Sequence, residues 1–357
     1  MEWLFRSSFD PLTTAALWSI AAVLVTTIVL FAYTVGLRYA TNTAQRNRKQ
    51  FLSVWRDVFA GALLGNGIPD NQPLPPVRRR DSIELLEEWN RVRSVVDGRA
   101  VDNLIRLAKR TGIPPIAEKL FESHRIRARI LAVQTIGHLR MNEFWEELRA
   151  LVDHDNTAIS ITAAAALVDI DPAAGVQIVV PKINRRRDWP KNKVSVILQH
   201  AGSARISEPL YRAIRSEDSS GQTYLLQFAR LIESEILDAL VDELIRGSQD
   251  PRVVTASLKL VSGFKGVPRI ASLTQHEAWY VRMQAAKVLG RVGQQEHLSL
   301  LESLLDDPEW WVRYRAGQAI SALPFLGPNQ LRAIRDRQTD PYAVDILQQC
   351  FAEVGLA

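Results

Sequence analysis

A single cysteine, Cys350, stands among the 357 residues. No disulfide can form within the chain, and a reducing compartment is the simplest expectation for the part that carries it. Catalytic signatures are missing as well. There is no G-x-S-x-G, no G-x-x-x-x-G-K-[ST] and no G-x-G-x-x-G, which leaves no nucleophile elbow, phosphate loop or dinucleotide fingerprint on which to base an enzyme. The six histidines, His124, His138, His154, His200, His276 and His297, are scattered without the i, i+4 spacing of a metal pair. Asp153-His154-Asp155 invites a metal reading but falls where a polar turn is expected. The sequence therefore points to a non-enzymatic protein with no cofactor, no metal and no small-molecule substrate.

Charge of one sign is also scarce. The net charge of +5 is spread along the chain, with no block dense enough to suggest nucleic acid. With 47% hydrophobic and 23% charged residues, the composition is that of a folding chain rather than a disordered one. The most telling absence is local: no charged residue occurs from Pro11 to Leu37. The densest stretch, Leu12 to Tyr33, is long enough to span a bilayer core, which takes roughly 20 apolar residues. A cleaved signal peptide would have a basic start and a shorter apolar run. Here the first ten residues carry Glu2, Arg6 and Asp10.

The flanks give this span a direction. Arg6 is the one basic side chain before it, whereas Arg38, Arg46, Arg48, Lys49 and Arg56 come after it. Positive residues stay cytoplasmic. The expectation is a short extracytoplasmic segment over 1–11, a transmembrane helix over 12–37 and everything later inside. Residues 38–64 read as a basic juxtamembrane helix, with Arg46, Arg48 and Lys49 available to anionic headgroups. Gly65 to Arg80, with four prolines and two glycines, reads as a linker. It ends in Arg78-Arg79-Arg80, a second candidate for headgroup contact.

The remainder of the chain repeats itself. Trp279 to Val292 (WYVRMQAAKVLGRV) aligns without gaps on Trp310 to Leu323 (WWVRYRAGQAISAL). Val281 and Val312, Arg282 and Arg313, and Ala285 and Ala316 each stand 31 residues apart. Ala128 to Leu139 is an earlier copy, with Arg129 at the arginine position and Ala132 at the small one. Ile159 to Val168 is another, with Ala163 at the small position. More degenerate copies place Ile197, Leu226 and Ser257 there, and a last copy starts near Asp340. Each is succeeded by a second apolar-periodic stretch, such as His297 to Asp307, Pro209 to Ser216 and Leu240 to Gly247. The unit is helix, turn, helix, and such a hairpin buries its apolar faces only by stacking on its neighbours.

The pattern V-R-x-x-A-A/G, with acidic residues or Asp-Pro just before it, resembles the HEAT repeats of the short, phycobilisome-lyase-like type. The resemblance implies an α-solenoid of about seven to eight hairpins, which with the single N-terminal transmembrane helix makes the expected fold all-α. Residues 81–123 fit an N-terminal helical cap and 124–357 the array. Lyases of that type act on bilins, which would make a cofactor-handling enzyme the outlying alternative.

Two sets of residues recur with the repeat. Arg129, Arg282 and Arg313 share one position; paired with an acidic residue such as Asp306 or Asp307, or with a helix end, they are structural, and left unpaired they would line a groove for anions. Trp279-Tyr280, Trp310-Trp311 and Tyr342 fall just before the Val-Arg position in three successive copies. Stacking would align them as an aromatic ridge suited to a partner, unless one member of each pair packs between repeats. Arg185-Arg186-Arg187 reads as a solvated loop, and Cys350 as a small buried hydrophobe.

The arrangement of one span, basic flank, proline-rich break and repeats resembles bacterial membrane proteins that accompany inner-membrane glycosyltransferases in polysaccharide export. That resemblance implies a scaffold in the inner membrane, its array cytoplasmic, binding a membrane protein or complex. A regulatory adaptor relaying a cytoplasmic signal is the other reading.

Overall fold

The structure, a computed structural model, describes residues 11–64, 69, 71–78, 81–261, 263 and 267–355. The expected extracytoplasmic segment therefore lies, apart from Pro11, outside the described residues. Within the 65–80 break, residues 65–68 and 70, Arg79 and Arg80 also fall outside them. Among the described residues there are helices and turns and no strand. The chain divides into two compact units, residues 1–139 and 140–357.

The first unit begins with one unbroken helix, α1 (Pro11–Leu63). Its residues from Ala15 to Tyr39 are solvent-exposed throughout. The helix is long and apolar enough to cross a membrane, by length and composition. Its hydroxyls are satisfied internally: Ser19 donates to the Ala15 carbonyl, Thr26 to Ala22 and Thr27 to Val23, at 2.8–2.9 Å. That back-bonding suits an environment without water.

The far end of α1 carries a buried face beside its basic residues. Trp55, Phe59 and Ala62 are buried, because α1 packs there on α2 (Ser82–Arg93) and α3 (Arg99–Arg110). The spacing of Phe51, Trp55 and Phe59 is i, i+4, i+8, one face of the helix, and their rings succeed one another at 6.2 and 5.7 Å. Two glutamates close the junction. Glu87 accepts from Arg48 and from Arg127, while Glu88, nearly buried, accepts from Arg56 at 2.8 Å and also holds Arg91. The paired Arg91 and Arg56 hold the Glu88 carboxyl below its usual range, against the opposing effect of burial. The segment after α1 is tied down too: Arg110 donates to the carbonyls of Pro69 and Gln72.

Helices α4 (Ile113–Phe121) and α5 (Ile126–His138) complete this unit, α5 lying against α4 and α2. A buried polar cluster joins α2 to α5. The Asn90 amide donates to the Thr135 hydroxyl at 2.9 Å, and its oxygen lies 2.9 Å from His138 Nδ1.

The second unit is a run of short helices: α6 (Trp145–Leu151), α7 (Thr157–Ile170), α8 (Pro172–Val179), α9 (Lys191–Ala201), α10 (Ser203–Ser216), α11 (Ser219–Leu225), α12 (Ser234–Gly247), α13 (Pro251–Leu258), α14 (Val267–Ser272), α15 (Trp279–Val292), α16 (Leu298–Ser303), α17 (Trp310–Ser321), α18 (Pro328–Asp336) and α19 (Pro341–Glu353). From α7 onward the odd-numbered helices are the first members of hairpins. α7 packs on α9, α11 on α13, α13 on α15, α15 on α17 and α17 on α19. The small positions read from the sequence all face this core: Ala163, Ile197, Leu226, Ser257, Ala285 and Ala316 are buried. Two glycines allow the closest approaches. A Cβ on Gly290 would stand 2.6 Å from that of Ala319, and one on Gly317 would stand 3.0 Å from Ile346.

Helices α8, α13 and α19 start with side-chain caps. Asp171, Asp250 and Asp340 each accept from the amide two residues on, with proline at the next position, the arrangement that best satisfies the free donors of a first turn. Asn156 caps α7 in the same way. After Leu225 the helix tightens into a 3-10 segment over Leu226–Leu231.

Candidate functional site

The second unit places the predicted aromatic residues at the N-terminal ends of three consecutively packed helices, α15, α17 and α19. Trp279, Trp310, Trp311 and Tyr342 are 36%, 42%, 52% and 68% exposed, and Tyr280 is half-buried. They are exposed because each precedes the buried residue of its copy, Val281, Val312 or Ala343. The rings also brace one another. Trp279 meets Tyr280 edge-on at 5.7 Å and Trp310 meets Trp311 edge-on at 4.8 Å. Trp310 further stacks on Tyr314 at 5.1 Å, and the Tyr314 hydroxyl donates to Glu353 at 2.8 Å. The repeat does not single out Tyr314. Its position one turn beyond Trp310 on the same helix face is the signal that finds it.

The repeat arginines lie beneath. Arg282 makes a two-pronged pair with Asp307, Nε to Oδ2 at 2.6 Å and Nη2 to Oδ1 at 2.8 Å, with side chains 13% and 5% exposed. Its Nη1 donates to the carbonyls of His276 and Glu277. The hydrogen bond to Asp307 raises the Arg282 pKa. Arg313 donates to the Asp307 carbonyl at 2.9 Å and rests over the Tyr342 ring at 5.7 Å, while its Nε is buried without a hydrogen-bond partner. Arg129, in the first unit, differs from the expected acidic pairing. Its guanidinium lies over the Phe121 ring at 5.8 Å, and its Nε too is buried without a partner.

One arginine read as solvated does what Arg282 does. Arg186 holds Asp188 with two donors and reaches the carbonyls of Val152 and His154 at 3.1 and 3.0 Å. Arg186 together with the Thr157 hydroxyl draws the Asp188 pKa down to about 2. The same role sits at a different sequence position, so no period announces it. Arg187 lies over the Tyr224 ring at 5.2 Å.

Other candidates resolve into structure. His154 Nδ1 accepts from the Asn156 amide and Asp153 binds Lys182. Among the described residues no group of three His, Cys, Asp or Glu side chains is placed to hold a metal. Burial pushes the Cys350 thiol up to about 12, a protonated, inert state. A crevice of about 520 Å³ beside α12 and α14 is lined by Asp238, Asp242, Arg246 and Arg269, but Asp242 already binds both arginines. Of the residues proposed for headgroups, Arg46, Lys49 and Arg78 are exposed, and Arg48 is engaged by Glu87.

Residues 237–321 and 267–353 match the family model for HEAT repeats. No curated protein matches the chain. Among solved structures, an engineered protein is 16% identical over 77% of this chain and 85% of its own, with a TM-score of 0.35. A designed armadillo repeat protein is 14% identical over 71% and 96%, with a TM-score of 0.20. A structure of the Pds5–Scc1 complex is 12% identical over 80% and 55%, with a TM-score of 0.29. All three TM-scores lie below 0.5, and none of these likenesses bears on function.

Proposed function

We propose that this protein is a membrane-tethered, non-enzymatic scaffold whose HEAT repeats bind a membrane-protein partner at the cytoplasmic face of a bacterial inner membrane. The observation that carries the reading is the row of exposed rings on α15, α17 and α19. A few hot-spot residues carry most of the energy at protein interfaces, and Trp and Tyr are enriched among them. Exposed in part together on stacked helices, and held by their own edge-on and stacked contacts, they form a preorganised surface.

The tether is the uncharged, exposed first half of α1, with the N-terminus outside, as the basic residues after Leu37 direct. The continuity of α1 gives the tether a fixed reach. From Leu37 to Trp55, the first fully buried ring, the helix rises roughly 27 Å at 1.5 Å per residue. Arg38 stands at the edge of the apolar run. Arg46 and Lys49 lie on the same stalk roughly 12 and 17 Å further out, where they add to attraction toward an anionic surface more than they contact single headgroups. The combination of anchor, stalk and repeats favours a partner in the same membrane, of which a glycosyltransferase of a polysaccharide export system is the type this arrangement suggests.

Purification in mild detergent tests the reading. The wild-type chain is expected to carry a membrane protein with it, and the Tyr280→Ala/Trp311→Ala variant to lose it while keeping its helical content. Retention of the partner by a folded variant would contradict the assignment of the face.

A further inference from the structure

The ring-bearing face also carries charge of one sign, which specifies the chemistry of the partner; the argument rests on the scaffold reading above. Glu277 stands two residues before Trp279 and Glu309 immediately before Trp310. Asp345 stands at i+3 from Tyr342, on the same side of α19. All three carboxylates are exposed, as is Asp306. The cations of the same region already have partners. Arg282 is held by Asp307, Arg313 by the Asp307 carbonyl and the Tyr342 ring, and the exposed Arg337 by Glu302. Glu277, Glu309, Asp345 and Asp306 remain beside the rings. The Arg313 contact shows a guanidinium already resting on one of these rings.

An anionic ligand fits poorly. Helix N-termini attract anions through free amides. In α19 Asp340 takes up the Tyr342 amide, and at α15 and α17 an anion would meet the exposed carboxylates of Glu277 and Glu309. The chain's net charge of +5 does not decide the matter, since beyond a Debye length of about 8 Å distant charges are screened.

We infer that this face binds an extended Lys/Arg-rich segment, the basic cytoplasmic flank of an integral membrane protein. Such flanks are where membrane proteins concentrate Lys and Arg, and a tethered array meets them at high local concentration. Each ring takes a cation on its face and each neighbouring carboxylate pairs with it. The register comes from the stacking. Packed helices lie roughly 8–10 Å apart and an extended chain advances about 3.3 Å per residue, so the segment presents one cation at about every third position.

The full chain in phosphatidylcholine nanodiscs, titrated with a short fluorescent peptide bearing arginine at every third position, tests this by anisotropy. The spaced peptide is expected to bind and to weaken as salt rises. An isomer with its arginines clustered should bind less well, and a glutamate analogue should not bind. Glu277→Gln/Glu309→Gln should weaken binding roughly tenfold, as two exposed ion pairs allow, and Trp311→Ala about fivefold. Lys287→Gln, at the other end of α15, should change nothing. Equal binding of the glutamate analogue, or indifference to the two glutamine substitutions, overturns the inference. A membrane partner that co-purifies in spite of Glu277→Gln/Glu309→Gln but is lost with Tyr280→Ala/Trp311→Ala sinks the basic-segment chemistry and leaves the scaffold reading intact; retention by both variants ends both. Self-association abolished by Arg38→Gln/Arg46→Gln/Lys49→Gln would give the face to a second copy, and co-purification of soluble basic proteins alone would remove the membrane source.

Discussion

Arg282 and Asp307, 25 residues apart, are joined by two parallel hydrogen bonds of 2.6 and 2.8 Å in a nearly buried site. Through them the first helix of one repeat holds the turn that opens the next, because the same Asp307 oxygen also accepts from the Glu309 amide at 2.9 Å. Removing one partner of such a pair leaves an uncompensated charge and costs about 3–5 kcal/mol. Asp307→Asn is therefore expected to lower the thermal midpoint of the full chain markedly. Arg282→Met/Asp307→Leu, which removes both charges, should be closer to the parent. A double variant that loses the sum of both single effects would show that the pair is not coupled.

A second expectation concerns the closest helix contact. A methyl group on Gly290 would meet the Ala319 side chain and backbone at 2.6 and 2.7 Å, whereas one on Gly247 meets nothing within 4 Å. Overpacking costs about 1–3 kcal/mol. Gly290→Ala should thus destabilise by that amount and Gly247→Ala should be neutral or mildly stabilising, compared by denaturant unfolding with tryptophan fluorescence.

The repeat is legible in the sequence because its buried positions are periodic. Val281, Val312, Ala285 and Ala316 recur every 31 residues and all are buried. Even the degenerate small positions, Ile197, Leu226 and Ser257, face the core. Exposed rings are legible for the same reason, since a residue just before a buried one at a helix start faces outward. Polar roles are not. Arg186 repeats the work of Arg282 from a different place in its hairpin, and the Arg129 position is filled by a ring contact rather than an acid. Hydrogen-bond partners depend on where two chain segments meet, which a one-dimensional period does not encode. The end of α1 is harder to read for another reason. Its basic residues point to lipid, while Phe51, Trp55 and Phe59 at helical spacing mark a buried face on the same helix. The outward carboxylates of the C-terminal face become informative only because the arginines beside them already have partners.

The joint between stalk and first unit gives a third expectation. Trp55 is fully buried and contacts Phe51 and Phe59. Truncating a buried tryptophan costs about 3–5 kcal/mol. Trp55→Ala should release α1 from α2 and α3, seen as faster hydrogen exchange over residues 51–63, while exchange in α15 and α17 stays unchanged.

Cys350 provides a pH signature. Its folded pKa is pushed from an ordinary 9.0 to about 12 by burial, with Glu353 adding to it. An acid whose folded pKa is raised stays protonated where its unfolded form has ionised. Its contribution is complete below pH 9 and is lost as pH rises toward 12. The difference in stability between the parent and Cys350→Ala should therefore be flat up to pH 9 and shrink above it. At pH 8.5 the native thiol should resist iodoacetamide until the chain is unfolded.

The measurement that bears most directly on the whole account is photocrosslinking in intact cells, with a photoreactive residue placed at position 311 or 342 and, for comparison, at 287. The account expects an adduct with an integral membrane protein from the two ring positions and none from position 287. Equal labelling from all three, or none from positions 311 and 342 in a folded, membrane-bound chain, would contradict it.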